Sequence, residues 1–299
     1  MDIEDAKLLE LNRQGIIPGP DETDAEFLKR ADFCLNIKER LAAELGGALP
    51  FAPEDLAGFG VMRSAFAEIR NSYDIAPEWI PIFFSNHQLS LWHGGCAWIF
   101  QLTPDTPTCA LFQLRKAFRN NDRYLGIYSR DEVAVHELAH VGRMMFEEPK
   151  YEEIIAYKTA RSSFRRFLGP LAQSSMEAGL FVLILILLVL LDIFLLAFGF
   201  DAGYRSAQWL KLVPAGIAVY GLLRLSRRQQ LFHHCLEKLQ ILYGNHAMAV
   251  IYRLTDSEIE LFSGSTDREI RDYALKQTTL RWRVINGAYG STVSSNLAS

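Results

Sequence analysis

The sequence predicts an α+β soluble body, a helical membrane hairpin and a helical C-terminal segment, and three observations carry that reading. Helix-like stretches near the N-terminus precede a series of short aromatic and β-favouring segments. A block of almost pure aliphatic residues lies near position 180. After it, amphipathic helical spacing returns.

Residues 21–46 carry acidic side chains early, basic ones late and Gly46 as a stop, the charge order that suits a helix dipole. Pro53 to Asn71 predicts a second helix with proline in its first turn. Trp79–Phe84 (WIPIFF), Ala97–Leu102 (AWIFQL) and Thr108–Leu114 (TCALFQL) predict strands, separated by turn formers at Asn86–His87, Gly94–Gly95 and Pro104–Pro107. Tyr124–Tyr128 (YLGIY) predicts a fourth. Past the aliphatic block, Arg228–Leu242 is amphipathic and Ala247–Leu254 follows it. Short helices are then expected around Asp256–Phe262 and Asp267–Lys276, with Thr255 or Asp256 and Ser265 as N-caps. The end, GAYGSTVSSNLAS, reads as a loose tail. The resulting boundaries are 1–170 for the α+β body, 171–228 for the hairpin and 229–299 for the C-terminal segment.

Charge and cysteine usage narrow the setting. With 31 Lys+Arg against 35 Asp+Glu and a formal net charge of -4, the chain lacks the basic face of a sequence-independent nucleic-acid binder, so no nucleic-acid partner is expected. A hydrophobic fraction of 49% excludes wholesale disorder. The opening MDIEDAKLLELNRQG has neither the basic start nor the apolar core of a secretory signal. Cys34, Cys96, Cys109 and Cys235 form no CxxC pair and predict buried, reduced thiols in a cytosolic setting.

Ala178 to Phe200 (AGLFVLILILLVLLDIFLLAFGF) has Asp192 as its only charge. As a helix it reaches about 34 Å, enough for a hydrocarbon core of about 30 Å, and it has no polar stripe. It predicts a membrane span, which makes the lipid bilayer a partner. Trp209–Leu225 is the second candidate. Its uncharged centre, Leu212–Leu223, is short, so Lys211 and Arg224 must snorkel outward; the alternative is an interfacial or buried helix. If both segments span, Asp201–Gln208 is a hairpin turn. Lys158, Arg161, Arg165 and Arg166 before the pair, and Arg224, Arg227, Arg228 and Lys238 after it, then place both termini in the cytoplasm. Asp192 is expected either to be protonated or to face a polar atom of the second helix or an oligomer contact.

The sharpest chemical signal is Val135-His136-Glu137-Leu138-Ala139-His140. In this HExxH pattern, positions i and i+4 share a helix face, so both imidazoles can bind one Zn²⁺ at about 2.0–2.1 Å. Glu137 lies beside the first ligand and can act as general base on water at the open position. Ser129 with Glu132 three residues later predicts a capping box, a helix from Arg130 to about Phe146, and a stop at Pro149. A site open for catalysis needs a third protein ligand, and Tyr151-Glu152-Glu153-Ile154-Ile155-Ala156 begins the next helix.

Together these residues resemble the gluzincins, HExxH metallopeptidases whose third ligand is a Glu on a following helix, often as Glu-x-x-Ala. Glu153-Ile154-Ile155-Ala156 matches that arrangement. The resemblance implies a zincin-like catalytic domain with Zn²⁺ on His136, His140 and Glu153, Glu152 being the alternative. It also implies Glu137 as the base, an edge strand that receives an extended chain, and a protein or peptide as substrate. Membrane gluzincins of the CAAX-prenyl-protease type often place an acid just after Glu-x-x-Ala to orient a ligand His. This chain has Tyr157-Lys158 there, and its spans follow the motif, so the orienting partner is unassigned. No metzincin His follows. An intramembrane site-2-type protease is disfavoured by the charges on 130–146. Tyr157, Arg143 and His246 are among the candidates for steadying an oxyanion. His87, His93, His233 and His234 lack ligand spacing. The alternative is a non-catalytic membrane protein in which HELAH is fortuitous or holds a purely structural metal.

Overall fold

Helices Asp5–Arg13 (α1) and Asp24–Leu35 (α2) open the chain, and α2 starts at a capping box in which Thr23 and Glu26 satisfy each other's backbone N–H. The computed structural model describes residues 3–42, 49–171 and 175–295, a mostly helical chain with small sheets, hence α+β. The single helix expected over 21–46 is interrupted. Asn36 bonds its side chain back to the Asp32 carbonyl at 3.0 Å, a local alternative to helical continuation, and Ile37–Ala42 (α3) resumes beyond it. Gly46 lies outside the described residues. Two single 3₁₀ turns, Pro53–Asp55 and Phe59–Met62, replace the first half of the next predicted helix, where Gly58 and Gly60 lower helix propensity. Only Arg63–Tyr73 (α4) is regular α-helix.

Strands Ile82–Phe84 (β1), Gly95–Phe100 (β2) and Cys109–Leu114 (β3) form a sheet of order β1-β3-β2. β1 begins just after Pro81, which has no N–H for a ladder. β3 is buried throughout and pairs parallel with β1 (Ile82 opposite Phe112) and antiparallel with β2 (Trp98 opposite Leu111). β2 therefore has one unpaired edge among the described residues. The predicted fourth strand is instead a tight reversal between Arg123–Tyr124 (β4) and Tyr128–Ser129 (β5). Leu125 and Gly126 turn the chain at φ 51° and 72°, and the glycine at the centre of YLGIY is what makes the reversal cheap.

The motif helix is Arg130–Gly142 (α5), four residues shorter than expected, and Arg143–Phe146 close into turns before Pro149–Lys158 (α6). The Ser129–Glu132 capping box does not form, because Glu132 pairs with Arg165 at 2.9 Å. Ser163–Leu168 (α7) and one 3₁₀ turn lead to Ser175–Ala197 (α8), a short helix Asp201–Ala207 (α9) where a bare turn was expected, and the 32-residue helix Leu212–Tyr243 (α10). The remaining helices are Ala247–Ile251 (α11), Asp256–Gly264 (α12), Asp267–Lys276 (α13) and Leu280–Ser295 (α14). Thr255 and Thr266 cap α12 and α13, so the second cap is one residue past Ser265.

Two helices are long and apolar enough to cross a membrane, and no residue in the apolar stretch of α8 is buried. Lys211 meets Asp192 at 2.8 Å and Arg224 meets Glu177 at 3.6 Å. These ion pairs hold α8 and α10 side by side at two levels, separated by about 22 Å of helix. Asp192 thus has a cationic partner in Lys211, the residue directly before α10, rather than standing alone. Beyond Arg224 the same helix turns inward, and Phe232, Cys235, Leu239 and Leu242 are buried.

Residues on both sides of the hairpin share one hydrophobic core, from Leu8 and Phe27 through Phe112 and Leu138 to Ile259, Trp282 and Ile285. Buried Glu258 ties α12 to α14, accepting from Arg281 at 2.7 and 2.9 Å and from the Trp282 indole at 2.7 Å. The tail predicted to be loose is helical as far as Ser295, since Tyr289 is buried and donates to Asp74 at 3.0 Å. Residues 296–299 lie outside the description. All four cysteines are free thiols.

Candidate metal centre

Helical spacing on α5 puts His136 and His140 on one face, and the turn after it returns α6 so that Glu153 meets them. The two Nε2 atoms are 3.4 Å apart. Glu153 Oε2 is 3.7 Å from the first and Oε1 is 3.6 Å from the second. Ligand atoms about 2.0–2.1 Å from a tetrahedral Zn²⁺ sit about 3.3 Å from one another, so this triangle has the size that a small ion would draw together. The three residues form the one possible metal-holding group of His, Cys, Asp and Glu among the described residues. A cleft of about 370 Å³ opens beside them, lined by Ala97, Ile99, Glu137, His140 and Met144.

Behind the triangle each imidazole has its own support. His140 Nδ1 lies 3.0 Å from Glu152 Oε1, and the other oxygen of Glu152 accepts from Arg143 Nε at 2.7 Å. Arg143 is only 1% exposed and donates to the carbonyls of Tyr252 at 2.6 Å and Leu254 at 3.0 Å. The acid that orients His140 is therefore Glu152, directly before Glu153, and its guanidinium partner is fixed by the C-terminal segment. The local signal for it was an Arg three residues after His140; the anchoring carbonyls gave none. His136 bonds the Ala156 carbonyl, so the alanine of Glu-x-x-Ala acts through its main chain. The Tyr157 ring lies against His136 with centroids 4.5 Å apart. Gly169 permits this, since a Cβ there would lie 2.4 Å from the tyrosine ring.

Glu137 Oε2 accepts from the Ala97 N–H of β2 at 2.8 Å, which ties the predicted base to the sheet edge. Of the oxyanion candidates, Tyr157 stands in the site. Arg143 is committed behind His140, and His246 packs near Tyr289 instead.

Electrostatics separates the two rings. Burial and the charge of His140 push His136 down to about 3, against its bond to Ala156. For His140, burial acts downward, but the hydrogen bond and charge of Glu152 with the charges of Glu153 and Glu137 outweigh it and push the ring up to about 9. Burial raises Glu137 and Glu153; the charges of Glu137 and Glu152 add to the rise at Glu153. Glu152 is held below the usual carboxylate range despite burial, by Arg143 and His140. Burial raises Tyr157 to about 12, so its hydroxyl keeps its proton.

A ring that titrates near 9 must release its proton before it can hold a metal. The affinity of the group for a metal such as zinc, if it holds one, is therefore expected to weaken by up to about tenfold for each pH unit below that point. Competition with a chromophoric chelator between about pH 6.5 and 8.5 measures this. An affinity independent of pH would remove protonated His140 from the metal-free protein.

No known protein family matches this chain, and no curated protein or solved structure does so either.

Proposed function

We propose that this chain is a membrane-anchored zinc metallopeptidase with a zincin-like catalytic domain. The observation that carries the proposal is the His136–His140–Glu153 triangle, with spacings of 3.4–3.7 Å, backed by Glu152 and flanked by Glu137. Zinc held there would polarise the scissile carbonyl and make a water acidic enough to attack near neutral pH. Glu137, with a raised affinity for protons, takes the proton from the attacking water and passes it to the amine nitrogen as the C–N bond breaks. The Tyr157 hydroxyl supplies a donor for the negative charge that develops on the carbonyl oxygen. The free edge of β2 offers main-chain groups to an extended peptide, next to the base that its Ala97 N–H already holds. The α8–α10 hairpin sits in the bilayer with both chain ends on the cytoplasmic side, where soluble and membrane-proximal proteins supply the substrates.

A purely structural zinc is the rival reading. It would need a fourth protein ligand, and the group at this point has three. Full-length protein purified in detergent is expected to carry about one zinc per chain and to cleave an unstructured protein substrate. His136→Ala is expected to lose both. Zinc content unchanged by that substitution would remove the metal assignment; zinc without cleavage of any peptide library would favour the structural rival.

A further inference from the structure

A second cavity, of about 600 Å³, lies between the start of α6, α10 and α12, and none of His136, His140 and Glu153 lines it. Lys150, Arg224, Arg227 and Arg228 line it, with Glu260 as the acid on its wall. Two of the four cations have carboxylate partners: Lys150 pairs with Glu260, and Arg224 with Glu177. The described residues place no carboxylate at ion-pair distance from Arg227 or Arg228. Arg228 is only 5% exposed; one of its terminal nitrogens donates to the Lys150 carbonyl at 3.1 Å, and its Nε has no hydrogen-bond partner among the described residues. A buried guanidinium with an unspent donor, beside an exposed second one, is costly unless an anion completes it.

The pocket's position narrows the anion. Leu222 and Leu223, both exposed, immediately precede Arg224 on α10, while Leu225 and Phe232 beyond it are buried. The cationic ring thus sits at the level where α10 passes from bare apolar surface into the protein core. An anionic headgroup occupies that depth beside a membrane helix. Four cations against the carboxylates of Glu177, Glu260 and Asp256 leave an excess of one, the charge of a phosphodiester.

We infer that Lys150, Arg224, Arg227 and Arg228 form a phosphate-binding pocket that holds the headgroup of an anionic phospholipid. The site needs neither zinc nor turnover, so its test is separate from that of the peptidase.

The full-length protein is compared in nanodiscs of phosphatidylcholine alone and of phosphatidylcholine with phosphatidylglycerol, and in detergent with and without inorganic phosphate. Co-purifying lipid is read by native mass spectrometry and thermal stability by unfolding. Expected is selective retention of phosphatidylglycerol. Removing the exposed charge with Arg227→Gln should weaken retention about fivefold, and Arg227→Gln with Lys150→Gln more than tenfold. Stabilisation by inorganic phosphate without lipid selectivity would keep the phosphate chemistry but overturn the lipid source. Arg268→Gln, a change at an exposed arginine on α13, should bind as wild type; an equal loss there would reduce the effect to bulk charge and overturn the site. Retention by Arg227→Gln/Lys150→Gln equal to that of wild type would overturn it as well.

Discussion

Glu137→Gln is expected to lower the rate of peptide-bond hydrolysis by about 10²–10⁴-fold while leaving bound zinc at its wild-type level. The two side chains are nearly isosteric, and the glutamine oxygen can still accept the Ala97 N–H that seats Glu137 at 2.8 Å. Neither imidazole nor Glu153 is altered, so the metal triangle persists. What would disappear is the proposed base, the carboxylate that would take a proton from water and return it to the departing nitrogen. Because the loss belongs to the transition state, kcat should fall with little change in KM. Zinc analysis on the same sample separates this result from a collapsed site. Turnover at the wild-type rate would remove Glu137 as the base.

Glu152→Ala is expected to strike two properties at once. His140 would lose the carboxylate at its Nδ1, and zinc affinity should fall about 10–100-fold. Arg143, almost wholly enclosed, would lose its counter-charge, and an uncompensated buried cation costs about 3–5 kcal/mol of stability. Glu153→Ala makes the comparison informative. It removes a residue of the triangle but strands no enclosed guanidinium, so it should abolish tight zinc binding with a much smaller loss of stability. Denaturant titration and zinc titration of both variants give the contrast. Glu152→Ala protein that matches wild type in both measurements would show that Arg143 and His140 do not depend on this acid.

The sequence made the centre of the site legible because its geometry is local. HELAH lies within one helix, Glu153 is only thirteen residues past His140, and a turn ending at Pro149 leaves α6 little choice but to fold back. The role of Glu152 was hidden for the opposite reason. It rests on Arg143, whose place is fixed by carbonyls at Tyr252 and Leu254, more than a hundred residues away. The other departures share that origin. Glu132 left its expected cap for Arg165, and Tyr289 made a helix of a Ser/Gly-rich tail by reaching Asp74. Asp192 found Lys211 only because α10 packs antiparallel beside α8. Local pattern sets each helix; distant partners decide which polar groups are left over for other work.

From Leu222 to Tyr243, α10 contains neither glycine nor proline, and it runs unbroken from lipid-compatible surface to buried core. A stalk without a joint gives the soluble mass no pivot about which to swing. In the proposed membrane-anchored protein, any tilt of the helix beyond Gly221 would be passed to the body, so the height of the cleft above the bilayer would follow that helix's length and lean. In the proposed peptidase, the cleft would then be a fixed gauge, meeting each tethered chain at a constant distance from its anchor.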